Sequence, residues 1–266
     1  MKGWIPVFLA LALNAGAQFT VEERFLACVY TNEATGETFA YRLSAPQFPR
    51  PGARYPLILF LHGSGECGTD NRRHLKVGLP ALMSALLRQP EPVMILAPQC
   101  QTGNWWVKRL ARGEEYAMPP QPAPSLEVAL AIVDHLVEAR QADPDRVYIT
   151  GLSLGGFGAW DAVQRRPGRF AAAIPICGGG DIRRVWELRR MPVWVFHGTA
   201  DRNVDVACSR RMVQALKQAG NRTVRYTEFE GAGHAVWDRA YGKDEVIRWL
   251  MLQTRKPVPW WRRLFG

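Results

Sequence analysis

The sequence predicts one α/β domain built on a mainly parallel sheet of about eight strands with helices on both faces. Three observations carry that expectation. Strand-like and helix-like runs alternate after residue 55. The stretch VYITGLSLGGFGAW, Val147 to Trp160, turns sharply from strand to helix around Ser153. At 266 residues, 47% of them hydrophobic, the chain holds enough apolar side chain for one large core.

The elements follow in order. FLACVYT and ETFAYRLS, joined through a turn near Gly36, read as an antiparallel pair at one sheet edge, and YPLILFLHG reads as a buried strand. A helical run from Leu79 to Arg88 precedes the strand VMILAPQ and a long loop rich in Gly, Trp and Pro from Cys100 to Pro124. A helix then carries Leu126, Leu130, Val133, Leu136 and Val137 on one face, with Ser125 read as its N-cap. RVYITGLS is the central strand. Beyond the turn at Ser153 come FAAAIPICGG, MPVWVFHG, a helix from Val206 to Ala219, the strand VRYTEFEG and a closing helix near Asp244 to Gln253.

The first residues, MKGWIPVFLALALNAGA, have one Lys2, an apolar run from Trp4 to Leu13 and the small-residue pattern Ala15-Gly16-Ala17. That is the layout of a secretory signal over 1–17, leaving 18–266 as the domain and implying a secreted or periplasmic protein. Five cysteines would then enter an oxidising compartment, and the odd number leaves at least one unpaired. Cys67 and Cys100 follow consecutive strands and Cys177 and Cys208 flank another, so the spacing allows one or two disulfides. Without a C-x-x-C or an H-E-x-x-H pattern, neither a zinc knuckle nor a metallohydrolase is indicated, and no metal is expected.

The formal charge is +10. The arginine doublets that produce it suit solvated helix faces, with weak attraction to anionic surfaces as a secondary consequence. No nucleic-acid module is present in the pattern. The basic and aromatic tail KPVPWWRRLFG reads as a segment packed on its own domain.

G-x-S-x-G between a strand and a helix is the pattern of a nucleophile elbow, which lifts the serine hydroxyl clear of the backbone. An activated Ser153 needs a base and a carboxylate that orients the base. Of five histidines, His62 and His197 sit in HG pairs at strand ends, His74 lies among polar residues, and His135 is on a helix. His234, in GAGHAVW after the last strand, is on a loop at the carboxyl end of the sheet, where parallel sheets bind ligands. It is the expected base. Asp201, in TADRNVD, follows its strand by a short turn and is the favoured carboxylate over Asp205, which reads as a helix cap. The backbone N–H groups of Leu154 and Ser64, with Gly65 as runner-up to Ser64, are the expected oxyanion donors. Gly63 to Gly68 fits G-x-G-x-x-G, but TDNRRH rather than an apolar helix follows, so no nucleotide or other cofactor is expected.

LFLHGSGE, ILAPQC, GLSLGGFGAW, PICGGGD, FHGTADRNV and GHAVW, in that order, resemble the α/β-hydrolase superfamily, over roughly Tyr55 to Gln253. More narrowly they resemble the secreted esterases that include polyhydroxybutyrate depolymerases, feruloyl esterases and phospholipase/carboxylesterase-like proteins. The resemblance implies an α/β-hydrolase fold and a cofactor-free serine carboxylic-ester hydrolase working through an acyl-enzyme. Its substrate would be a small-molecule, polyester or polysaccharide-linked ester. Asp205 stands where that group often has proline, a departure that bears on the choice of aspartate. Trp105, Trp106 and Trp237 are expected at the crevice edge, where flat rings suit an acyl or sugar group. An acyltransferase or peptidase on the same three residues, and a non-catalytic glycan-binding scaffold, are the competing readings.

Overall fold

The structure is a computed structural model that describes residues 20–255 except 34, 47, 109 and 112. The leader reading of 1–17 and the tail from Lys256 to Gly266 lie outside the described residues.

Eight strands form one sheet: β1 (Leu26–Thr31), β2 (Thr38–Ser44), β3 (Tyr55–Leu61), β4 (Met94–Pro98), β5 (Ala142–Leu152), β6 (Ala172–Ile176), β7 (Trp194–Gly198) and β8 (Arg225–Phe229). Their spatial order is β1-β2-β4-β3-β5-β6-β7-β8. β1 pairs with β2 and β2 with β4 in antiparallel fashion, and every later pair is parallel. The helices are α1 (Leu79–Leu87), α2 (Pro124–Glu138), α3 (Leu154–Arg165), α4 (Ala207–Gln218), α5 (Trp237–Tyr241) and α6 (Asp244–Met251).

Strand alternation divides the core in two. Leu57, Leu59 and Leu61 of β3 join Leu126, Trp160 and Met212 on the face covered by α2, α3 and α4. Ile58 and Phe60 join Leu82, Tyr241 and Trp249 on the face covered by α1, α5 and α6. Because both faces are covered, β3 is buried at all seven positions, which is why its sequence is an unbroken apolar run rather than an alternating one. Edge strand β1, by contrast, alternates half-buried and exposed residues. Among the described residues no helix is long and apolar enough to cross a membrane.

Two local readings are corrected. Ser125 is not the N-cap of α2: the helix starts at Pro124 after Ala123, with no side-chain cap, because a proline at the first position needs no N–H partner. The Ser125 hydroxyl instead donates to the Asn104 carbonyl at 2.5 Å, tying the helix to the long loop. Cys177 and Cys208 cannot pair, since they belong to the core layers on opposite faces of the sheet.

Candidate active site

The sharp turn after β5 is enforced by crowding. A Cβ on Gly151 would lie 2.2 Å from the Gly155 carbonyl oxygen, and one on Gly155 would lie 2.0 Å from that of Leu61. Only glycine lets α3 approach the ends of β3 and β5 this closely. Between them Ser153 is held at φ 55°, ψ −119°, a left-handed region that costs a non-glycine residue on the order of 1–3 kcal/mol. Its N–H donates to the Ile176 carbonyl at 2.9 Å, which anchors the strained residue to β6.

The loops after β5, β7 and β8 bring three side chains into one chain of hydrogen bonds. Ser153 Oγ lies 2.8 Å from His234 Nε2, and His234 Nδ1 lies 2.7 Å from Asp201 Oδ2. Asp201 Oδ1 accepts from the Asn203 and Val204 N–H groups at 2.8 and 3.0 Å. An acceptor-only carboxylate on Nδ1 requires the proton there, leaving Nε2 to accept from the serine hydroxyl. Burial alone would raise the Asp201 pKa, but hydrogen bonds from His197, His234 and the Val204 N–H outweigh it and hold the carboxyl well below the usual range. It is an anion beneath the histidine.

Asp205 is elsewhere: its carboxylate accepts from the Ala207 N–H at 2.9 Å, at the start of α4. Leu154 opens α3, so its N–H has no intrahelical partner. Ser64 opens a 3-10 turn, Ser64–Glu66, and it lines the same crevice as Ser153, Leu154 and His234. His62 supports that turn from below. Its Nε2 accepts from the Cys100 N–H at 2.9 Å, so its Nδ1 carries the proton and donates to the Gly63 carbonyl at 2.7 Å.

The crevice measures about 620 Å³. Leu154, Phe157, Val107 and Trp237 supply apolar walls, and Lys108, Arg202 and Glu114 supply charge. Glu66 also lines it, with a carboxyl pKa pushed up by burial. The tryptophan expectations divide. Trp237 lines the crevice, edge-on to His234 with ring centroids 5.5 Å apart. Trp106 does not: it is wholly buried, its indole N–H donating to the His62 carbonyl at 2.9 Å, so it packs beneath the strand end that leads to Ser64. Trp105 lines a separate surface cavity with Asn104 and Pro124.

Two neighbours of Asp201 escaped the sequence reading. His197, wholly buried, places Nε2 3.2 Å from Asp201 Oδ2 and 3.1 Å from the Val204 carbonyl, while Nδ1 lies 2.7 Å from Ser209 Oγ. Its spacing four residues before Asp201 was the available signal. Cys177, at φ 49°, donates its thiol to the His234 carbonyl at 3.3 Å. Cys177, Asp201 and His234 offer ligand atoms within 4.8 Å of one another, so a cation bound there would have to displace the hydrogen bond between His234 and Asp201.

The arrangement can remove a proton from Ser153 and return it to a leaving group, in a crevice that Leu154 and Ser64 also line. Sheet order, elbow and loop placement are those of the α/β-hydrolase fold. Residues 126–190 and 186–253 match the model of the prolyl oligopeptidase family. Among proteins of this fold the chain is similar to esterases. It is 34% identical over 179 residues to NocK of Nocardia uniformis subsp. tsuyamanensis, a protein named as an esterase, covering 65% of this chain and 49% of that one. It is 31% identical over 135 residues to poly(3-hydroxyalkanoate) depolymerase C of Paucimonas lemoignei, covering 48% of this chain and 28% of that one. The crystal structure of a thermostable esterase superposes with a TM-score of 0.78 at 37% identity, covering 88% of this chain and 64% of that chain. This chain thus spans about half of NocK and about a quarter of the depolymerase.

Proposed function

We propose that the protein is an extracytoplasmic serine carboxylic-ester hydrolase. The observation that carries the reading is the chain Ser153–His234–Asp201 on a strained elbow, with hydrogen bonds of 2.8 and 2.7 Å. As an ester carbonyl settles against Ser153, the hydroxyl proton passes to His234 Nε2 and Oγ bonds to the carbonyl carbon. Negative charge builds on the carbonyl oxygen, where the N–H groups of Leu154 and Ser64 receive it. Asp201 stays ionised and stabilises the imidazolium. His234 then protonates the departing alcohol, leaving an acyl group on Ser153. Water, deprotonated by the same imidazole, releases the acid.

A small-molecule, polyester or polysaccharide-linked ester suits a crevice with apolar walls and a charged rim, with Trp237 contacting the acyl or alcohol group. The leader pattern in 1–17 supports secretion or periplasmic residence, and the charge of +10 supports weak contact with anionic surfaces. A second reading, cleavage of peptide bonds by the same three residues, is favoured by the match to the prolyl oligopeptidase family.

The test is turnover of a short-to-long nitrophenyl ester series, methyl ferulate and a peptide anilide by the parent and by Ser153→Ala. Ester cleavage by the parent alone supports the first reading, and anilide cleavage outpacing every ester selects the second. No turnover by either protein overturns both.

A further inference from the structure

The loop that carries Ser64 is gripped at its far end by the loop after β4. The Gly68 N–H donates to the Cys100 carbonyl at 2.9 Å, Gln99 Nε2 donates to the Glu66 carbonyl at 3.2 Å, and the Cys100 N–H reaches His62 Nε2. Cys67 closes the 3-10 turn that begins at Ser64, and Cys100 follows β4 by two residues. Both are buried, at 7% and 0% exposure, in the same core layer, and their thiols are near enough to interact. A disulfide needs Cα atoms roughly 4.4–6.8 Å apart, and the hydrogen bond from Gly68 to Cys100 brings the two chain segments side by side next to the cysteines. The structure holds all five cysteines as thiols.

We propose that Cys67 and Cys100 are joined by a disulfide in the mature protein, a cross-link that fastens the Ser64–Cys67 turn to the end of β4. The cross-link rests on the extracytoplasmic reading for its oxidant and not on the identity of the substrate. Each thiol gives up its proton, and two electrons pass to a disulfide-bearing oxidant, an oxidoreductase of the export compartment or oxidised glutathione, whose sulfur–sulfur bond becomes two thiols.

The local hydrogen bonding tolerates this loss of S–H groups. Cys100 Sγ donates to the Asn104 carbonyl at 2.5 Å, but Ser125 Oγ donates to the same oxygen at 2.5 Å and keeps it satisfied after oxidation. The other cysteines are engaged elsewhere: Cys177 with the His234 carbonyl on the opposite sheet face, Cys28 with Tyr41, and Cys208 with Arg211. Burial pushes the Cys100 thiol well above its ordinary range. Since thiolate is the attacking species, exchange in the folded protein is slow. The bond therefore forms while the chain folds, and once formed its burial keeps an external thiolate from reaching it until the chain unfolds.

The experiment uses full-length protein exported by a host with an oxidising periplasm. Thiols are alkylated in denaturant without reduction, then reduced and labelled with a second reagent, and the peptides are assigned by mass spectrometry. Cys67 and Cys100 should carry only the second label, while Cys28, Cys177 and Cys208 carry the first. First label on both Cys67 and Cys100 overturns the cross-link. If the chain is not exported, the secretion reading fails, and the cross-link is read by the same labelling after refolding in a glutathione redox couple. The double variant Cys67→Ser/Cys100→Ser gives a second readout. It should melt several degrees lower than the oxidised parent and lose kcat several-fold with KM little changed. An unchanged melting temperature and kcat would sink the proposed fastening.

Discussion

His197 Nε2 and His234 Nδ1 converge on a single oxygen, Asp201 Oδ2, at 3.2 and 2.7 Å. Two imidazole N–H groups thus share one carboxylate oxygen, while the other oxygen takes two backbone N–H groups. The carboxylate is held from four directions, and only one of its partners faces Ser153. Replacing His197 by Asn removes the ring that ties Asp201 to Ser209 and to the Val204 carbonyl. A lost hydrogen bond to a charged group is worth about 1.5–3 kcal/mol. If that loss falls on the transition state, kcat drops about 10- to 100-fold with KM nearly constant. Steady-state kinetics on one ester decide it, and an unchanged kcat would make His197 a packing residue only.

Gly155→Ala should be far more damaging than its one added methyl suggests. The new Cβ would lie 2.0 Å from the Leu61 carbonyl oxygen and 2.6 Å from that of His62, both backbone atoms that cannot rotate away. Either α3 or the end of β3 must move, and the turn bearing Ser64 moves with β3. A loss of at least about 4 kcal/mol is expected, the range of severe core disruption. Urea denaturation of parent and variant measures it.

One guanidinium grips the last part of the long loop between β4 and α2. Arg165 donates to the carbonyls of Pro119, Pro120 and Gln121 at 2.7, 3.0 and 3.2 Å and to the buried Asp161 at 2.5 Å. Tyr116 also donates to Asp161 at 2.5 Å. Arg165→Ala leaves the aspartate charge buried without its cation, at a cost of about 3–5 kcal/mol. Because Val107, Leu110 and Glu114 of this loop wall the crevice, KM should rise as well. Arg165→Lys should recover part of the stability but not the three-carbonyl contact. Equal KM values for all three proteins would show that the clamp does not reach the crevice.

Two buried histidines make stability fall with acid. Burial lowers His62 from 6.5 to about 4, and burial together with the neighbouring His62 lowers His74 to about 3. Between pH 6.5 and those values the unfolded chain binds protons that the folded chain does not, so unfolding is favoured as pH falls. Their contribution is full above pH 6.5 and is lost as pH drops towards about 4 for His62 and about 3 for His74, at about 1.4 kcal/mol per pH unit for each fully titrating histidine. Urea midpoints from pH 7 to 4.5 should show this slope, and His74→Leu should reduce it by about half whatever its absolute stability. A parent protein equally stable at pH 7 and 4.5 would contradict the assignment.

Much of this was legible in one dimension because the physics is local. A strand buried on both faces must be an apolar run, so YPLILFL announces β3, and a helix packed against strand ends needs glycine, so Gly151 and Gly155 announce the elbow. His234 and Asp201 could be singled out because a parallel sheet puts its strand-end loops on one edge. The proline at position 124 also outranked the serine after it as a helix start, a rule visible in sequence but overlooked beside Ser125.

What tertiary structure decided is everything that depends on which face of the sheet a residue meets. Trp105 and Trp106 are adjacent in sequence, yet one lies at a surface cavity and the other is buried with its indole N–H on the His62 carbonyl. Cys177 and Cys208 flank one strand but fall on opposite core layers. His197 became a partner of Asp201 only when the loop after β7 curled back to bring Val204 and Asp201 to its ring. The sequence by itself determined the order of strands and helices, the elbow and the loops that meet at its edge. Only the packed chain decided which side chains share a carboxylate, because that depends on distances of a few ångströms between residues whose separation in sequence carries no such information.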